Sequence, residues 1–339
     1  MIIFSNNSLF LILSTNVRNS FISRGLSSIV KPLSTESKIK NFIPHPLIYK
    51  LDNPHWVTGF TDAEGSFIIS VYKRSDSNNW QIKPSFELGL HSKDISTLQE
   101  LKNYFGVGII NTRKGKNVTS FTVTKINDLV NVIIPHFSNF PLQTQKRIDF
   151  ELWAKIVESI KNKEHLTHEG LLKILSLKSV LNRGLTKNTS DIKNIEILER
   201  PLHLVDSAEF INIDPNWISG FVAGDGTFDV KLTQRKFKYQ VELRFRITQH
   251  IRDAHILGII AEYFGCGKVY IRSTGLACDL VINNFPDNIN KIIPFFKKYS
   301  IKTIKEKDFR DFTLAAELIK NKEHLTLEGL AKRNQIKHE

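Results

Sequence analysis

Cysteine, methionine and long apolar runs are scarce in this chain. Among its 339 residues there are two cysteines, Cys266 and Cys278, and one methionine. Two cysteines without paired spacing provide neither a disulfide framework nor a cysteine-rich zinc site, and they favour a reducing compartment. No stretch approaches the roughly 18 apolar residues that a membrane-spanning helix needs, so we expect no association with a membrane.

Acidic residues are also few relative to basic ones. The chain has 47 Lys and Arg against 34 Asp and Glu, a formal net charge of +13, and 41% of its residues are hydrophobic. That hydrophobic content is typical of a globular protein and excludes a largely disordered one. The positive charge favours a nucleic-acid partner, because neutralising phosphates drives affinity; a basic, solvated surface without a partner is the alternative.

The first 40 residues differ in composition from the rest. They hold one acid, Glu36, and five basic residues, Arg18, Arg24, Lys31, Lys38 and Lys40. This composition resembles a mitochondrial targeting segment, and a leader read through from an upstream exon is the alternative. Both interpretations predict a mitochondrial protein whose residues 1–45 lie outside the folded part.

The rest of the chain repeats itself. Three segments occur twice: WVTGF and WISGF at 56–60 and 217–221, YFG at 104–106 and 263–265, and IKNKEHLT at 160–167 and 319–326. The first pair is offset by 217 − 56 = 161 positions and the later pairs by 263 − 104 = 159 and 319 − 160 = 159. Two residues have therefore been lost from one repeat, in a strand or a hairpin loop. We predict repeats at 46–186 and 214–335, joined by a polar linker at 187–213.

Both repeats carry the same predicted order of elements, αββαββα. Predicted strands lie at 66–73, 83–90, 108–112 and 119–124 in the first repeat, and at 227–234, 240–248, 267–272 and 278–282 in the second. Predicted helices of the first repeat lie at 56–64, 95–104 and 145–162, with Ser92 or Asp94 as the cap of the second of these. The fold class is therefore α+β. We interpret the duplicated IKNKEHLT segment as a helix boundary capped by Thr167 or Thr326 rather than as a metal site.

Small residues recur four positions apart in the first helix of each repeat. Gly59 and Ala63 hold these positions in one helix, and Gly220 and Gly224 hold them in the other. Such spacing lets two helix backbones approach closely, so we predict that the helices pack on each other along a pseudo-twofold axis.

Each of these helices ends in an acid followed by a glycine. We expect Gly65 and Gly226 to adopt the left-handed conformation common at helix ends. The helix pairing brings Glu64 and Asp225 together, which is unfavourable because like charges repel and a helix C terminus is partially negative. A divalent ion such as Mg²⁺ between the acids would explain the arrangement. An acid neutralised by a nearby Lys or Arg is the alternative.

The predicted strands add a basic surface. Its candidate DNA-binding residues are Lys73, Lys83 and Arg113 in the first repeat and Lys231, Arg235, Arg244, Arg246 and Arg272 in the second. Strand ribbons can enter the major groove and contact base edges. An ordinary exposed sheet face is the alternative for any single residue.

The segments VTGFTDAEG at 57–65 and ISGFVAGDG at 218–226 resemble the two motifs of the LAGLIDADG homing endonucleases. The resemblance extends from about residue 50 to about residue 335 and is nearest to the single-chain fungal mitochondrial type encoded in introns. It implies a saddle of two antiparallel four-stranded sheets on double-stranded DNA. It also implies a monomer that cleaves a long asymmetric site across the minor groove.

The resemblance also implies roles for individual residues. Glu64 and Asp225 would bind two or three shared Mg²⁺ ions, with the backbone carbonyls of Ala63 and Gly224 as further ligands. The second motif departs from the usual form at Ala223, outside the metal-binding acid.

Three further residues are catalytic candidates. Lys146 and Lys305, which are 305 − 146 = 159 positions apart, would stabilise charge in the transition state or position water. Gln249 would organise solvent, and Leu90 stands at its counterpart (249 − 159 = 90). The two half-sites should therefore be unequal.

Two other functions compete with cleavage. An intron maturase would bind group I intron RNA on the same fold, and a regulator would bind DNA without cutting it. Loss of either acid would favour these alternatives, and the presence of both favours the nuclease.

Overall fold

The structure is a computed structural model that describes residues 50–73, 80–113, 115–186, 189, 192–201, 213–235 and 238–322, and these belong to one compact unit. The predicted leader and Thr326 lie outside the described residues, as do parts of the predicted linker. Within the described ranges, no helix is both long and apolar enough to cross a membrane.

The first repeat begins with a helix that runs directly into a four-stranded sheet. Its elements are α1 (Pro54–Glu64), β1 (Gly65–Lys73), β2 (Trp80–His91), α2 (Ile95–Phe105), β3 (Ile109–Thr112), β4 (Val118–Val123), α3 (Ile126–Asp128), α4 (Ile134–Asn139), α5 (Lys146–Lys161) and α6 (His168–Ser179). A 3-10 turn, Ser92–Asp94, precedes α2, and a π-helical turn, Leu129–Ile133, joins α3 to α4.

The second repeat has the same order. Its elements are α7 (Pro215–Asp225), β5 (Gly226–Arg235), β6 (Lys238–His250), α8 (Ala254–Phe264), β7 (Lys268–Ile271), β8 (Ala277–Ile282), α9 (Phe285–Asp287), α10 (Ile293–Lys298) and α11 (Lys305–Lys320). The matching 3-10 and π-helical turns are Ile251–Asp253 and Asn288–Ile292.

The two sheets have equivalent strand orders, β1-β2-β4-β3 and β5-β6-β8-β7, and every pairing is antiparallel. The predicted α+β class with two antiparallel four-stranded sheets is therefore confirmed. Gly65 pairs with Leu88, 88 − 65 = 23 positions later, and Gly226 pairs with Ile247, 247 − 226 = 21 positions later. The two-residue change in repeat spacing therefore lies in this first hairpin.

Side chains alternate between the two faces of each sheet. In β1, Phe67, Ile69 and Val71 are buried against the helices, whereas Ser66 and Ser70 on the other face are exposed. We call the face away from the helices the open face. Its members in β5 include Thr227, Asp229 and Lys231. The alternation follows from the period of two along a strand, with one face packed and the other available for binding.

Each helix-covered face holds an aromatic cluster, and the two clusters match position by position. They consist of Phe67, Phe86, Phe137, Phe150 and Trp153 in the first repeat and Phe228, Phe245, Phe296, Phe309 and Phe312 in the second. The first ring pair, Phe67 with Phe86, has centroids 5.3 Å apart, and its counterpart pair has centroids 5.2 Å apart. Truncating one such ring to alanine would cost about 3–5 kcal/mol.

The predicted conformation of the two motif glycines is wrong. Gly65 has φ −77° and Gly226 has φ −80°, both extended, because each helix passes directly into a strand. The glycines are explained by space instead. A Cβ on Gly65 would lie 2.4 Å from Cγ2 of Thr61, and one on Gly226 would lie 2.4 Å from Cγ1 of Val222.

The predicted cap of α2 is confirmed in position but makes no capping bond, whereas one later cap is confirmed in both respects. Asp94 stands at the N-cap position of α2 but makes no capping bond, and the hydroxyl of Ser92 contacts that of Thr119 at 3.1 Å. Thr167 caps α6 as predicted, since its Oγ1 accepts a hydrogen bond of 3.0 Å from the backbone N–H of Gly170.

Candidate active site and nucleic-acid interface

Helices α1 and α7 touch backbone to backbone. A Cβ on Gly59 would lie 2.0 Å from the carbonyl oxygen of Trp217, and a Cβ on Gly220 would lie 2.0 Å from that of Trp56. One helical turn later, a Cβ on Gly224 would lie 2.3 Å from the Cβ of Ala63. The structure thus places all four small residues of the motifs at one helix contact.

A buried carboxylate joins this contact on one side. Asp62 accepts hydrogen bonds from the backbone N–H groups of Gln143 (2.8 Å) and Thr144 (3.2 Å) and from the hydroxyl of Thr144 (2.6 Å). It also accepts one of 2.8 Å from Nε1 of Trp217 on the other repeat. Burial raises the pKa of Asp62 to about 6, although its donors act in the opposite direction.

The other side of the contact has no such carboxylate. Ala223 occupies the position equivalent to Asp62, because 62 + 161 = 223. The indole Nε1 of Trp56 is buried there without a hydrogen-bond partner among the described residues. Ala223 in place of an aspartate therefore removes a hydrogen-bond acceptor from one side of the helix contact. The acid at the end of the second motif, Asp225, is still present.

Glu64 and Asp225 lie at the paired ends of α1 and α7. Burial raises the pKa of Glu64, the charge of Asp225 raises it further, and Lys305 and Lys146 lower it. Burial also raises the pKa of Asp225, against a hydrogen bond from Gln249. A Cβ on Gly224 would lie 3.4 Å from Oε1 of Glu64, so this carboxylate reaches across to the other helix.

Lys146 begins α5 and reaches the end of α1. Its Nζ donates to the carbonyl oxygens of Thr61 (2.9 Å), Asp62 (2.7 Å) and Ala63 (3.3 Å). These carbonyls belong to the last turn of the helix, where a positive charge is favoured. Burial lowers the pKa of this lysine, against the charges of Asp62, Asp225 and Glu64.

Lys305 repeats the arrangement at the start of α11. Its Nζ donates to the carbonyl oxygens of Val222 (3.2 Å) and Gly224 (2.5 Å) at the end of α7. Burial lowers its pKa, and the carboxylates of Asp225 and Glu64 raise it. Two carboxylates and two ammonium groups are thus enclosed at one end of the helix pair.

Each lysine helix is held by an aspartate from the other repeat, which the sequence alone did not indicate. Asp253, after β6, accepts a hydrogen bond of 2.7 Å from the backbone N–H of Gln145 at the start of α5. Asp94, after β2, accepts one of 3.4 Å from the backbone N–H of Ile304 at the start of α11. The two aspartates are 253 − 94 = 159 positions apart, so the repeat spacing was an available signal.

Gln249 and Leu90 make the two ends unequal. Nε2 of Gln249 donates to Oδ2 of Asp225, whereas Leu90 packs against the hydrophobic core. The carboxylate of Asp225 is therefore oriented by a neutral donor that Glu64 does not have from the equivalent strand position.

The groups at the paired helix ends suit a hard divalent cation. Two carboxylates and the carbonyls of Ala63 and Gly224 are oxygen ligands, which Mg²⁺ prefers. The structure describes no cluster of three or more His, Cys, Asp or Glu side chains that could hold a metal. A Mg²⁺ site here would therefore draw further ligands from water and phosphate, as is usual for this ion.

Strand register separates the candidate DNA-binding residues into two groups. On the open face, Lys83 pairs with Ser70, and Arg244, Arg246, Lys231 and Arg235 share the face of Thr227. For Arg235 only the backbone is described. Lys73 pairs with Trp80 on the face of Val71, so the register does not place it with the others.

Several open-face arginines are tied to acids. Arg244 bonds to Asp229 (Nη2 to Oδ2, 2.7 Å), and Arg272 bonds to Asp279. Arg113 faces Glu87 at 3.7 Å, beyond hydrogen-bond distance. Arg244 and Arg272 of the second sheet are therefore held more tightly than Arg113 of the first.

Comparison with known proteins identifies the family to which this chain belongs. The family model described as LAGLIDADG endonuclease matches residues 57–157 and 218–316, one match in each repeat. This chain belongs to the LAGLIDADG endonuclease family. Both matched segments contain one of the paired helices with its terminal acid.

Proteins similar to this chain include probable intron-encoded endonucleases and, separately, LAGLIDADG homing endonucleases of solved structure. "Probable intron-encoded endonuclease 3" of Neurospora crassa is 39% identical over 283 residues, covering 82% of this chain and 52% of that protein. The chain therefore spans about half the length of that relative. I-SmaMI, solved bound to uncleaved DNA target in the presence of calcium ions, is 36% identical with a TM-score of 0.80. That match covers 85% of this chain and 98% of I-SmaMI, which has also been solved bound to cleaved DNA.

Other relatives bear on metal and genetic context. LAGLIDADG endonucleases depend on divalent metal ions. An "Uncharacterized 50.9 kDa protein in ND4 intron 1" of Podospora anserina is 43% identical over 126 residues, covering 36% of this chain and 27% of that protein. Relatives of this chain thus include fungal proteins encoded in ND4 and cox1 introns.

Proposed function

We propose that this chain is a homing endonuclease that hydrolyses both strands of a long, asymmetric double-stranded DNA site across the minor groove. The observation that carries the proposal is the enclosure of Glu64 and Asp225 with two lysines at the joined ends of α1 and α7. Two sheets with basic open faces extend from those ends, because β1 and β5 begin there. The family membership and the DNA-bound neighbours support this choice over a regulator without catalysis.

In this proposal the acids and carbonyls serve as metal ligands. Glu64, Asp225 and the carbonyls of Ala63 and Gly224 would hold two or three Mg²⁺ ions. Bound Mg²⁺ activates water and stabilises the leaving oxygen of a phosphodiester. Burial raises the pKa of both acids, and the charge of Asp225 raises that of Glu64 further; a cation at this place would offset the cost of keeping the two carboxylates charged.

The two lysines supply positive charge next to the acids. Lys146 and Lys305 would stabilise negative charge that develops on the phosphate, from ammonium groups already fixed on helix carbonyls. Solved variants of I-SmaMI replace two lysines by alanine, singly and together, at positions separated by 262 − 103 = 159. The separation of Lys146 and Lys305 is the same, which supports their pairing as equivalent groups.

Three further side chains would position these groups. Asp253 and Asp94 would hold the starts of the lysine helices, and Gln249 would orient the carboxylate of Asp225. Because Gln249 has no polar counterpart, the two strands of the target would be cut in unequal environments.

The proposal includes a monomer that acts in the mitochondrion. The internal duplication supplies both halves of the site from one chain, and the relatives include fungal proteins encoded in ND4 and cox1 introns, which supports the mitochondrion. Group I intron RNA is the alternative substrate, in a maturase role.

The test uses the joined sequence of the exons that flank the gene's own intron. We expect the unmodified protein to cut a duplex of this sequence in Mg²⁺. Glu64→Gln and Asp225→Asn should bind the duplex in Ca²⁺ but should not cut it in Mg²⁺. Full cutting by both variants would overturn the assignment of the acids. Tight binding of the intron RNA with no cleavage of the duplex by the unmodified protein would favour the maturase.

A further inference from the structure

One arginine on the open face of the second sheet is fixed in orientation before any ligand is present. Arg272 follows β7 and donates from Nε to Oδ2 and from Nη2 to Oδ1 of Asp279, both at 2.7 Å. Nη2 also donates to Oγ1 of Thr248 at 3.2 Å, and the Thr248 hydroxyl donates to the same aspartate. Thr248 of β6, Asp279 of β8 and Arg272, directly after β7, thus form a closed network.

The network leaves a defined set of donors for a partner. Nη1 of Arg272 makes no hydrogen bond to any residue that the structure describes, and the side chain remains 44% exposed. The bonds from Arg272 and Thr248 hold the pKa of Asp279 below its usual value, so the carboxylate stays charged near neutral pH. An arginine held in this way loses little side-chain entropy when it binds.

The ion pair also selects the kind of partner. Asp279 neutralises the guanidinium and would repel a phosphate, so little net attraction to the DNA backbone remains. What the guanidinium still offers a partner is hydrogen bonds of fixed direction, because the group is planar and only donates. Guanine is the base that presents two acceptors, N7 and O6, in the major groove, whereas the amino groups of adenine and cytosine would oppose the arginine's donors.

We propose that Arg272, held by Asp279 and Thr248, reads one guanine in the half-site bound by the second repeat. This inference rests on the proposed function, because it assumes that the open face meets the major groove of the target. The preference for guanine at this base pair should therefore be stronger than the base preference at the mirrored position, which is the base pair that the equivalent place of the first repeat would contact.

The first repeat provides an internal control. Arg113 is the counterpart of Arg272, and Ser120 and Gly89 are the counterparts of Asp279 and Thr248 (each 159 positions earlier). Arg113 is 62% exposed, and among the described residues its ion pair is the 3.7 Å contact with Glu87. It has the same charge and place in the sheet without the supporting network.

The experiment measures base preference at every position of the site. The protein with Ca²⁺ is used to select duplexes from a library randomised across the site, and the bound DNA is sequenced. Arg272→Gln and Asp279→Asn should both lower the guanine preference at the same single position, by about tenfold. Arg113→Gln, the matched control, should change its mirrored position less.

Salt dependence separates base recognition from backbone binding. Asp279→Asn should steepen the dependence of affinity on salt, because the released arginine can now neutralise a phosphate. The inference is overturned if Arg272→Gln weakens all sequences equally, or if Asp279→Asn retains the guanine preference. If the unmodified protein enriches no sequence, the proposed function fails and this inference fails with it.

The network can also be built into the first repeat. A Cβ on Gly89 would meet nothing within 4 Å, so the double variant Gly89→Thr/Ser120→Asp has room for the added threonine. With its melting temperature checked, it should gain a guanine preference at the mirrored position. A folded double variant with unchanged preference would overturn the role of the supporting residues.

Discussion

Replacing Trp217 by phenylalanine should destabilise the protein far more than the same change at Trp56. Both indoles are fully buried at equivalent places in the helix contact, so the loss of ring volume is similar in the two variants. Nε1 of Trp217 donates to the Asp62 carboxylate at 2.8 Å, and a hydrogen bond to a charged group contributes about 1.5–3 kcal/mol. Nε1 of Trp56 has no described partner, and removing it relieves a desolvation cost of about 1–3 kcal/mol.

The free energies of unfolding of the two variants should therefore differ by at least about 2 kcal/mol, with Trp217→Phe the less stable. Urea denaturation of both proteins at the same pH measures this difference. In an Asp62→Ala background the extra cost of Trp217→Phe should disappear, which isolates the coupling between the two side chains. Equal free energies for the two variants, or a greater loss for Trp56→Phe, would refute the assigned hydrogen bond.

Three further predictions follow from the same structure. Gly224→Ala should cost about 1–3 kcal/mol, because its methyl group would meet the Cβ of Ala63; adding Ala63→Gly should restore the melting temperature. Asp253→Ala should slow DNA cleavage more than it weakens DNA binding in Ca²⁺. Asp94→Ala should slow cleavage less than Asp253→Ala does, because its hydrogen bond is longer, and equal slowing by the two variants would contradict this. Burial lowers the pKa of His136 to about 4, so the contribution of this histidine to stability should be constant above about pH 6.5 and fall by about 3 kcal/mol as the pH drops to about 4. Asp62, with its raised pKa, contributes in the opposite direction over this range. The difference in free energy of unfolding between the unmodified protein and His136→Phe, measured by urea titration at each pH, should therefore show the fall, and a difference that does not change with pH would contradict it.

The repeated architecture could be predicted because its signals are local and occur twice. Strand alternation, the spacing of small residues in the first helices and the matching offsets each need only a short stretch of sequence. The paired acids followed from the same stretch, since Glu64 and Asp225 end the two helices. The loss of two residues could be limited to the first hairpin or its strands for the same reason.

Contacts between distant segments could not be predicted in this way. The extended conformation of Gly65 follows from its place at the start of β1, where it pairs with Leu88 of β2. Asp94 was assigned to its own helix because nothing local indicates that α11 of the other repeat lies beside it.

The contact between Ala63 and Gly224 has a consequence for how such a protein can be assembled. The two positions are equivalent, yet a methyl group on each would place the two Cβ atoms 2.3 Å apart. Two copies of the first repeat, joined as a homodimer in this geometry, would bring those two methyl groups into collision. Two copies of the second repeat would place no methyl group at this contact and would leave a gap between the helices. The helix contact itself therefore fits two different repeats rather than two identical ones, in addition to the differences between the strands of the two repeats.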